Sequence, residues 1–328
     1  MPFESNKDDK ETSSTAFGKA KIPRWSRISL MSRTLKNLLL KELCPYGIWQ
    51  LTDVMKSGLR YQISRLPKKK VSEDETRYPQ SPAGMRAFLV KFFARHYLQT
   101  QNSLVDYVTS QDFVDVFMSG HLRILDVGSG PAVASLAITD MLACFLEHLK
   151  YTGEWAKSKT VKVDYVLNDT SNICLGTGQR MLADYFRINR RYNNAIIHNR
   201  TISIQKDFPD NINQLRRIRF NLGTYDIVIF SYVISPLSED KGFSALVNGL
   251  LHIERLCSRK GRILILQDRF QAALVRRMSR AIGIPNQEEE STQHIYPNRN
   301  MSETYTYSYY RFLYAPAERM IISHSSVA

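Results

Sequence analysis

Residues 121–138 read HLRILDVGSGPAVASLAI. An apolar run, an acid, two glycines and a second apolar run of different period follow one another, so the stretch predicts a strand, a tight turn and a helix. We expect the strand over 122–127 and the helix over 131–150. Three kinds of ligand loop share this outline, and they differ in what must stand beside the glycines.

A phosphate loop needs GxxxxGK followed by Ser or Thr, and nothing here fits it. A dinucleotide loop needs a third glycine where the helix approaches the sheet, and Val133 occupies that position. A loop that holds S-adenosylmethionine faces an amino group, a carboxylate and a sulfonium rather than a pyrophosphate. A carboxylate at the end of the strand suits that ligand and repels a pyrophosphate, and Asp126 supplies it. Gly128 and Gly130 allow the backbone to pass close to a ligand. Pro131 is expected in the first helical turn, where its missing amide is harmless.

The string LDVGSGPA resembles motif I of the class I methyltransferases, with Ala132 where many members have a third glycine. The resemblance continues in order along the chain. VDYVLNDTS ends on Asp169, where the family places an acid for the ribose hydroxyls, and an acceptor-only carboxylate suits a cis diol. Capping of the next helix is the competing role for Asp169. TISIQKDF delivers Asp207 and Phe208, positions the family uses against the adenine amino group and ring. YDIVIFSYVISPL resembles motif IV, with Ser231 and Tyr232 at its carboxyl end. Ser129 and Thr170 complete the implied ligand set. Arg86 on a helix before the loop is a candidate for the ligand carboxylate, with a plain surface arginine as the alternative.

The resemblance implies a Rossmann-like α/β fold, a mostly parallel seven-stranded sheet with helices on both faces. The alternation of the remaining segments agrees with this. We expect strands at 161–168, 201–206, 225–231 and 261–267, and helices at 172–190, 242–257 and 270–282. TYTYSYYRFLY near the end reads as part of an antiparallel pair closing the sheet, its tyrosines serving packing rather than base stacking.

Before the core, residues 1–20 are polar and expected to be disordered. Residues 21–76 read as a basic helical extension and linker, and 77–328 as the methyltransferase domain, opening with two helices before the first strand. Between Lys19 and Lys70 stand 13 Lys and Arg against two acids, Glu42 and Asp53. WSRISLMSRTLKNLLLKEL within it has helical apolar spacing with basic residues between. With a formal net charge of +14, the segment suggests an anionic partner, RNA foremost, while a docking helix with a solvated basic face is an equal reading.

The strings YPQSPAGMRAFLVKF and SYVISPL are similar to the ribosomal small-subunit methyltransferase-like family, which includes a mitochondrial assembly factor. The cysteines that family uses for an iron–sulfur cluster have no counterpart beyond Cys44-Pro45. The four cysteines form no CxxC pair, so neither a zinc site nor a disulfide framework is expected, and a reducing cytoplasm suits them. No run of 18 uninterrupted apolar residues suggests a membrane span. An amino methyltransferase acting on adenine or cytosine is disfavoured, because FSYVISPL lacks the Asn or Asp with two prolines after strand four. Tyr232, Ser235 and Asp268 are candidate general bases, Asp268 with a structural pairing to Arg269 or Arg262 as its alternative. RNA methylation is the leading reading; a small-molecule acceptor and a binding or assembly protein without turnover are the others.

Overall fold

The computed structural model describes residues 24–151, 160–189, 196–284, 287–295 and 305–316. The tail at residues 1–20, read from sequence as disordered, lies outside them.

Seven strands form a single sheet in the order β3-β2-β1-β4-β5-β7-β6. They are β1 (His121–Val127), β2 (Val161–Asp169), β3 (Ile196–Gln205), β4 (Tyr225–Ser231), β5 (Cys257–Asp268), β6 (Glu288–Ile295) and β7 (Tyr305–Tyr314). The pairings of β1 with β2 and β4, of β2 with β3 and of β4 with β5 are parallel. β7 runs against both β5 and β6, so the sheet is mixed, with β7 the strand that reverses direction.

The central strands are buried on both faces, which is why β1, β4 and β5 read as continuous apolar runs. Their alternation sorts side chains into two cores. Ile227, Ile229, Leu264 and Leu266 enter one cluster, while Val228, Phe230, Ile263 and Ile265 enter the other. On the first face lie α5 (Phe93–Val108), α7 (Val133–Tyr151) and α8 (Asn172–Asn189). On the second lie α9 (Ile212–Leu222), α11 (Phe243–Glu254) and α12 (Ala272–Ala281). Short elements not foreseen from sequence include α9, which follows the third strand, and α10 (Ile234–Lys241), which directly follows the SYV string.

The basic region joins the first core. α1 (Arg24–Leu43) and α2 (Asp53–Ser64) contribute Leu39, Leu43 and Met55 to it. A buried carboxylate anchors this arrangement. Asp140 on α7 accepts hydrogen bonds from Tyr97 at 2.5 Å, Tyr185 at 2.7 Å and Thr52 at 2.7 Å. Thr52 also caps α2 by accepting from the Met55 amide, so one side chain ends a helix and ties it to the core.

The proline-bounded stretch after Lys70 holds structure of its own. α3 (Glu73–Arg77) starts on the Ser72 cap, and Glu75 accepts hydrogen bonds from the Gln80 and Ser81 amides at 3.1 and 2.8 Å. α4 (Pro82–Lys91) then begins with Pro82 behind the Ser81 cap. With α5 and α6 (Gln111–Met118), three helices rather than two stand between Ser81 and the first strand. Of the closing tyrosines, Tyr309, Tyr310 and Tyr314 are buried, so packing accounts for them.

Candidate active site

The carboxyl ends of β1, β2, β4 and β5 open into a cavity of about 790 Å³. Open α/β sheets bind ligands at that edge, because the crossover connections diverge there and leave a crevice. Asp126, Gly128, Ser129 and Gly130 of the glycine turn line it, and so do Asp169 and Thr170.

The turn after β1 has an unusual backbone. Gly128 and Gly130 have φ of 65° and 51°, and Ala132 has φ of 58°. A Cβ on Gly128 would lie 2.4 Å from Val233 Cγ2, so glycine is required both by φ and by the close passage of the β4 loop. Ala132 takes the left-handed conformation with its methyl group retained and fully buried. The reversal delays the helix. α7 starts at Val133, and Pro131 sits in the preceding turn rather than in the first helical turn; it is not among the cavity-lining residues.

Asp126 is fully buried, and its Oδ2 accepts from the Ser135 hydroxyl at 2.8 Å and the Ser135 amide at 3.2 Å. Its Oδ1 is buried and has no hydrogen-bond partner. Burial pushes its pKa up to about 7, against the lowering effect of the two Ser135 hydrogen bonds. Asp169 accepts from the Gly130 amide through Oδ2 and from the Ser171 amide through Oδ1, both at 2.8 Å. It therefore clamps the glycine turn to the end of β2 and begins the turn into α8. Burial raises its pKa as well. Each oxygen keeps a further lone pair for a hydroxyl donor.

Asp207 lies two residues beyond the end of β3, which spans 196–205 rather than the 201–206 read from the sequence. It lines the cavity and pairs with Lys241 at 3.1 Å. Phe208 also lines it but is 2% exposed and packs edge-on against Phe230, centroids 5.2 Å apart. Ser231 and Tyr232 line the opposite wall, Tyr232 with φ of 60°.

Arg86 does not reach this cavity. Its guanidinium donates to the Ile63 and Leu66 carbonyls and so caps the carboxyl end of α2, a role set by the fold of the extension.

The three candidate bases are engaged. Tyr232 donates to Gln99, and burial raises its hydroxyl pKa above the ordinary phenol range. Ser235 donates to Glu239 at 2.9 Å and accepts from Gln271. Asp268 pairs with Arg95 on α5, not with its neighbours in sequence. Arg262 instead pairs with Asp112 at 3.0 Å and Arg269 with Glu290 at 2.9 Å.

Residues from α4 and α5 complete the wall and were not singled out from sequence. Phe88, Phe92 and His96, at four-residue spacing, all line the cavity. The His96 ring lies between Phe92, at 5.7 Å, and Tyr232, at 4.0 Å and 12°. Arg95 sits over Tyr232 and Tyr307 at 5.5 and 5.1 Å from their centroids. The helical periodicity of AGMRAFLVKFFARHYL was visible in sequence, but the partner of that face was not. Beside the cavity, Lys68, Lys69 and Lys70 line a shallower groove of about 480 Å³, and Glu73 and Lys91 line both.

No protein-family model matches the chain, and no curated protein matches it in sequence. Solved structures resemble it in outline. A DszA carbon methyltransferase is 14% identical with a TM-score of 0.38, covering 90% of this chain and 71% of its own. A precorrin-6y C5,15-methyltransferase from Geobacter metallireducens is 11% identical, TM-score 0.35, covering 62% of this chain and 88% of its own. The plantazolicin methyltransferase BpumL, solved with a desmethyl plantazolicin analogue and SAH, is 9% identical, TM-score 0.33, covering 88% of this chain and 98% of its own. Likenesses this distant do not say what this chain binds or methylates.

Proposed function

We propose that the protein is an S-adenosylmethionine-dependent methyltransferase. The observation that carries the reading is the pair of acids at adjacent strand ends, Asp126 and Asp169, facing one cavity across a left-handed glycine turn. The buried Asp126 oxygen without a partner is a place for a cationic ammonium group, since an uncompensated buried carboxylate is costly. Asp169, with both oxygens already oriented by backbone amides, is held in place to accept a pair of ribose hydroxyls. When bound, the methyl donor supplies an activated methyl group, so the chain's own task is to position the acceptor and exclude water.

For the acceptor we propose RNA, reached along the groove at Lys68–Lys70 that shares Lys91 with the cavity. A small-molecule acceptor is the second reading, favoured by the wall that Glu73, Arg77 and Tyr78 build across the cavity mouth. The finer likeness to the ribosomal small-subunit methyltransferase-like family rests on the YPQSP and SYVISPL strings alone.

Calorimetry with S-adenosylmethionine tests the donor. Wild type is expected to bind and Asp126→Ala to lose at least ~100-fold in affinity, consistent with removal of a charge-assisted contact in a buried site. No heat with wild type overturns the reading. Methyl-labelled donor incubated with total RNA and with small metabolites then separates the acceptors. Label in RNA that weakens steeply with salt and in a Lys68/Lys69/Lys70→Ala variant supports the groove; label confined to metabolites rejects it.

A further inference from the structure

The imidazole of His96 forms part of the wall of the cavity that Asp126 and Asp169 also line. The ring stacks closely on Tyr232 and more loosely on Phe92, with centroids 4.0 and 5.7 Å away. Phe88 meets the ring at a steep angle, centroids 6.1 Å apart and planes at 74°, so the cavity is met by the part of the imidazole that these three rings leave open. The ring nitrogens have no hydrogen-bond partner among the described residues, although the backbone of His96 is fully engaged within α5. Tyr232 follows the end of β4, and its neighbour Val233 touches the glycine turn, so the imidazole stands beside the donor loop.

The surroundings fix this ring in place and set its charge. Arg95 on the same helix is paired with Asp268 at the end of β5 and covers Tyr232 and Tyr307. Tyr232 is pinned to Gln99 one helical turn further along α5. Lys91, at the end of α4, lies over Phe92 and is paired with Glu73 at 2.6 Å. Burial, reinforced by the Arg95 charge, holds the His96 pKa down to about 3, so the ring is neutral over the physiological range.

We propose that His96 accepts the proton released in methyl transfer, and that the methyl acceptor is a hydroxyl or a weakly basic, conjugated N–H group. The proposal rests on the methyl-donor reading above. As the acceptor nitrogen or oxygen bonds to the methyl carbon, the carbon–sulfur bond breaks and its electron pair stays on sulfur. The methylated cation of a hydroxyl, or of an N–H conjugated to a ring or carbonyl, is strongly acidic, and its proton passes to the imidazole nitrogen and then to water. A weakly basic imidazole suffices for so acidic a group and stays unprotonated until it is needed.

The test uses the full chain, labelled with nitrogen-15 at histidine and saturated with S-adenosylhomocysteine. It is titrated with adenosine as an N–H probe and catechol as an O–H probe. At least one probe is expected to shift the His96 ring nitrogen resonances. His96→Phe keeps the stacked ring and is expected to weaken that probe at least tenfold while S-adenosylhomocysteine affinity changes less than threefold. In the labelled-methyl assay on whichever fraction accepts label, His96→Phe is expected to slow single-turnover transfer ~100-fold, in the range for loss of a general base. Probes that leave His96 unmoved, or a His96→Phe chain that binds and transfers as wild type does, overturn the proposal. Failure of S-adenosylhomocysteine to bind would instead sink the donor reading, and the probe titration on the free chain then decides the role of His96.

Discussion

The two halves of the cavity are built differently. The half around Asp126 and Asp169 comes from the ends of two adjacent parallel strands and the turn between β1 and α7, with Asp169 only 39 positions from the glycine it clamps. The half around Arg95, His96, Tyr232 and Asp268 joins a helix before the sheet to the ends of β4 and β5, with Arg95 and Asp268 173 positions apart. The first half is made of backbone amides and two carboxylates, the second of stacked rings and an ion pair. A glycine turn and a strand-end acid constrain each other locally, whereas a stacked ring is placed only when separate elements pack.

The contact between the halves offers the sharpest way to break this division. Gly128→Ala puts a methyl group against Val233 and forces a left-handed residue, so both halves should suffer together. We expect S-adenosylhomocysteine affinity to fall at least ~100-fold and stability by ~2 kcal/mol, read by calorimetry and chemical unfolding. Retained affinity would show that the two halves move independently.

A smaller effect, confined to the donor half, follows from the charge of Asp126. Its folded pKa is about 7 against an ordinary 3.8, so the folded free chain holds a proton that the unfolded chain has released. Stability of the free chain should therefore decline as pH rises from 3.8 to about 7, by at most ~1.4 kcal/mol per unit. Donor affinity should run the other way, dropping up to ~tenfold per pH unit below about 7, because an ammonium group needs the ionised carboxylate. In Asp126→Asn the affinity slope should disappear and the stability slope should lessen, the remainder coming from the other buried carboxyls such as Asp169, measured by unfolding and calorimetry across pH 5–8. An affinity slope that persists unchanged in that variant would assign the titration to another group.

The smallest change is expected at Ala132, where a left-handed residue carries a methyl group. Ala132→Gly should leave donor affinity unchanged and raise stability by no more than ~1 kcal/mol, the strain relieved being offset in part by unfolded-state entropy. A clear loss of stability would mean that the buried methyl group matters more through packing than through strain.

The asymmetry of the two halves also explains which residues could be read in advance. LDVGSG and VDYVLND each hold strand, turn and acid within ten residues, and Asp126, Gly128, Gly130 and Asp169 all lie in the cavity. Arg86 was misread because a guanidinium on a helix says nothing of its target, which proved to be the carbonyls ending α2. Asp268 lines the cavity, but its partner lies on α5 rather than beside it in sequence. His96 stood in a visible periodic face, yet nothing local to FFARHYL indicates that Tyr232 will cover it.

Sequence by itself therefore determined the alternation of strands and helices and the glycine turn, because apolar periodicity and glycine conformations are local properties of a chain. Only the tertiary structure decided that the stretch around Glu73 walls the cavity, that β7 runs against its neighbours, and that His96 lies pressed between Phe92 and Tyr232. Those outcomes depend on which buried surfaces meet, and such meetings leave no period in the sequence of either partner.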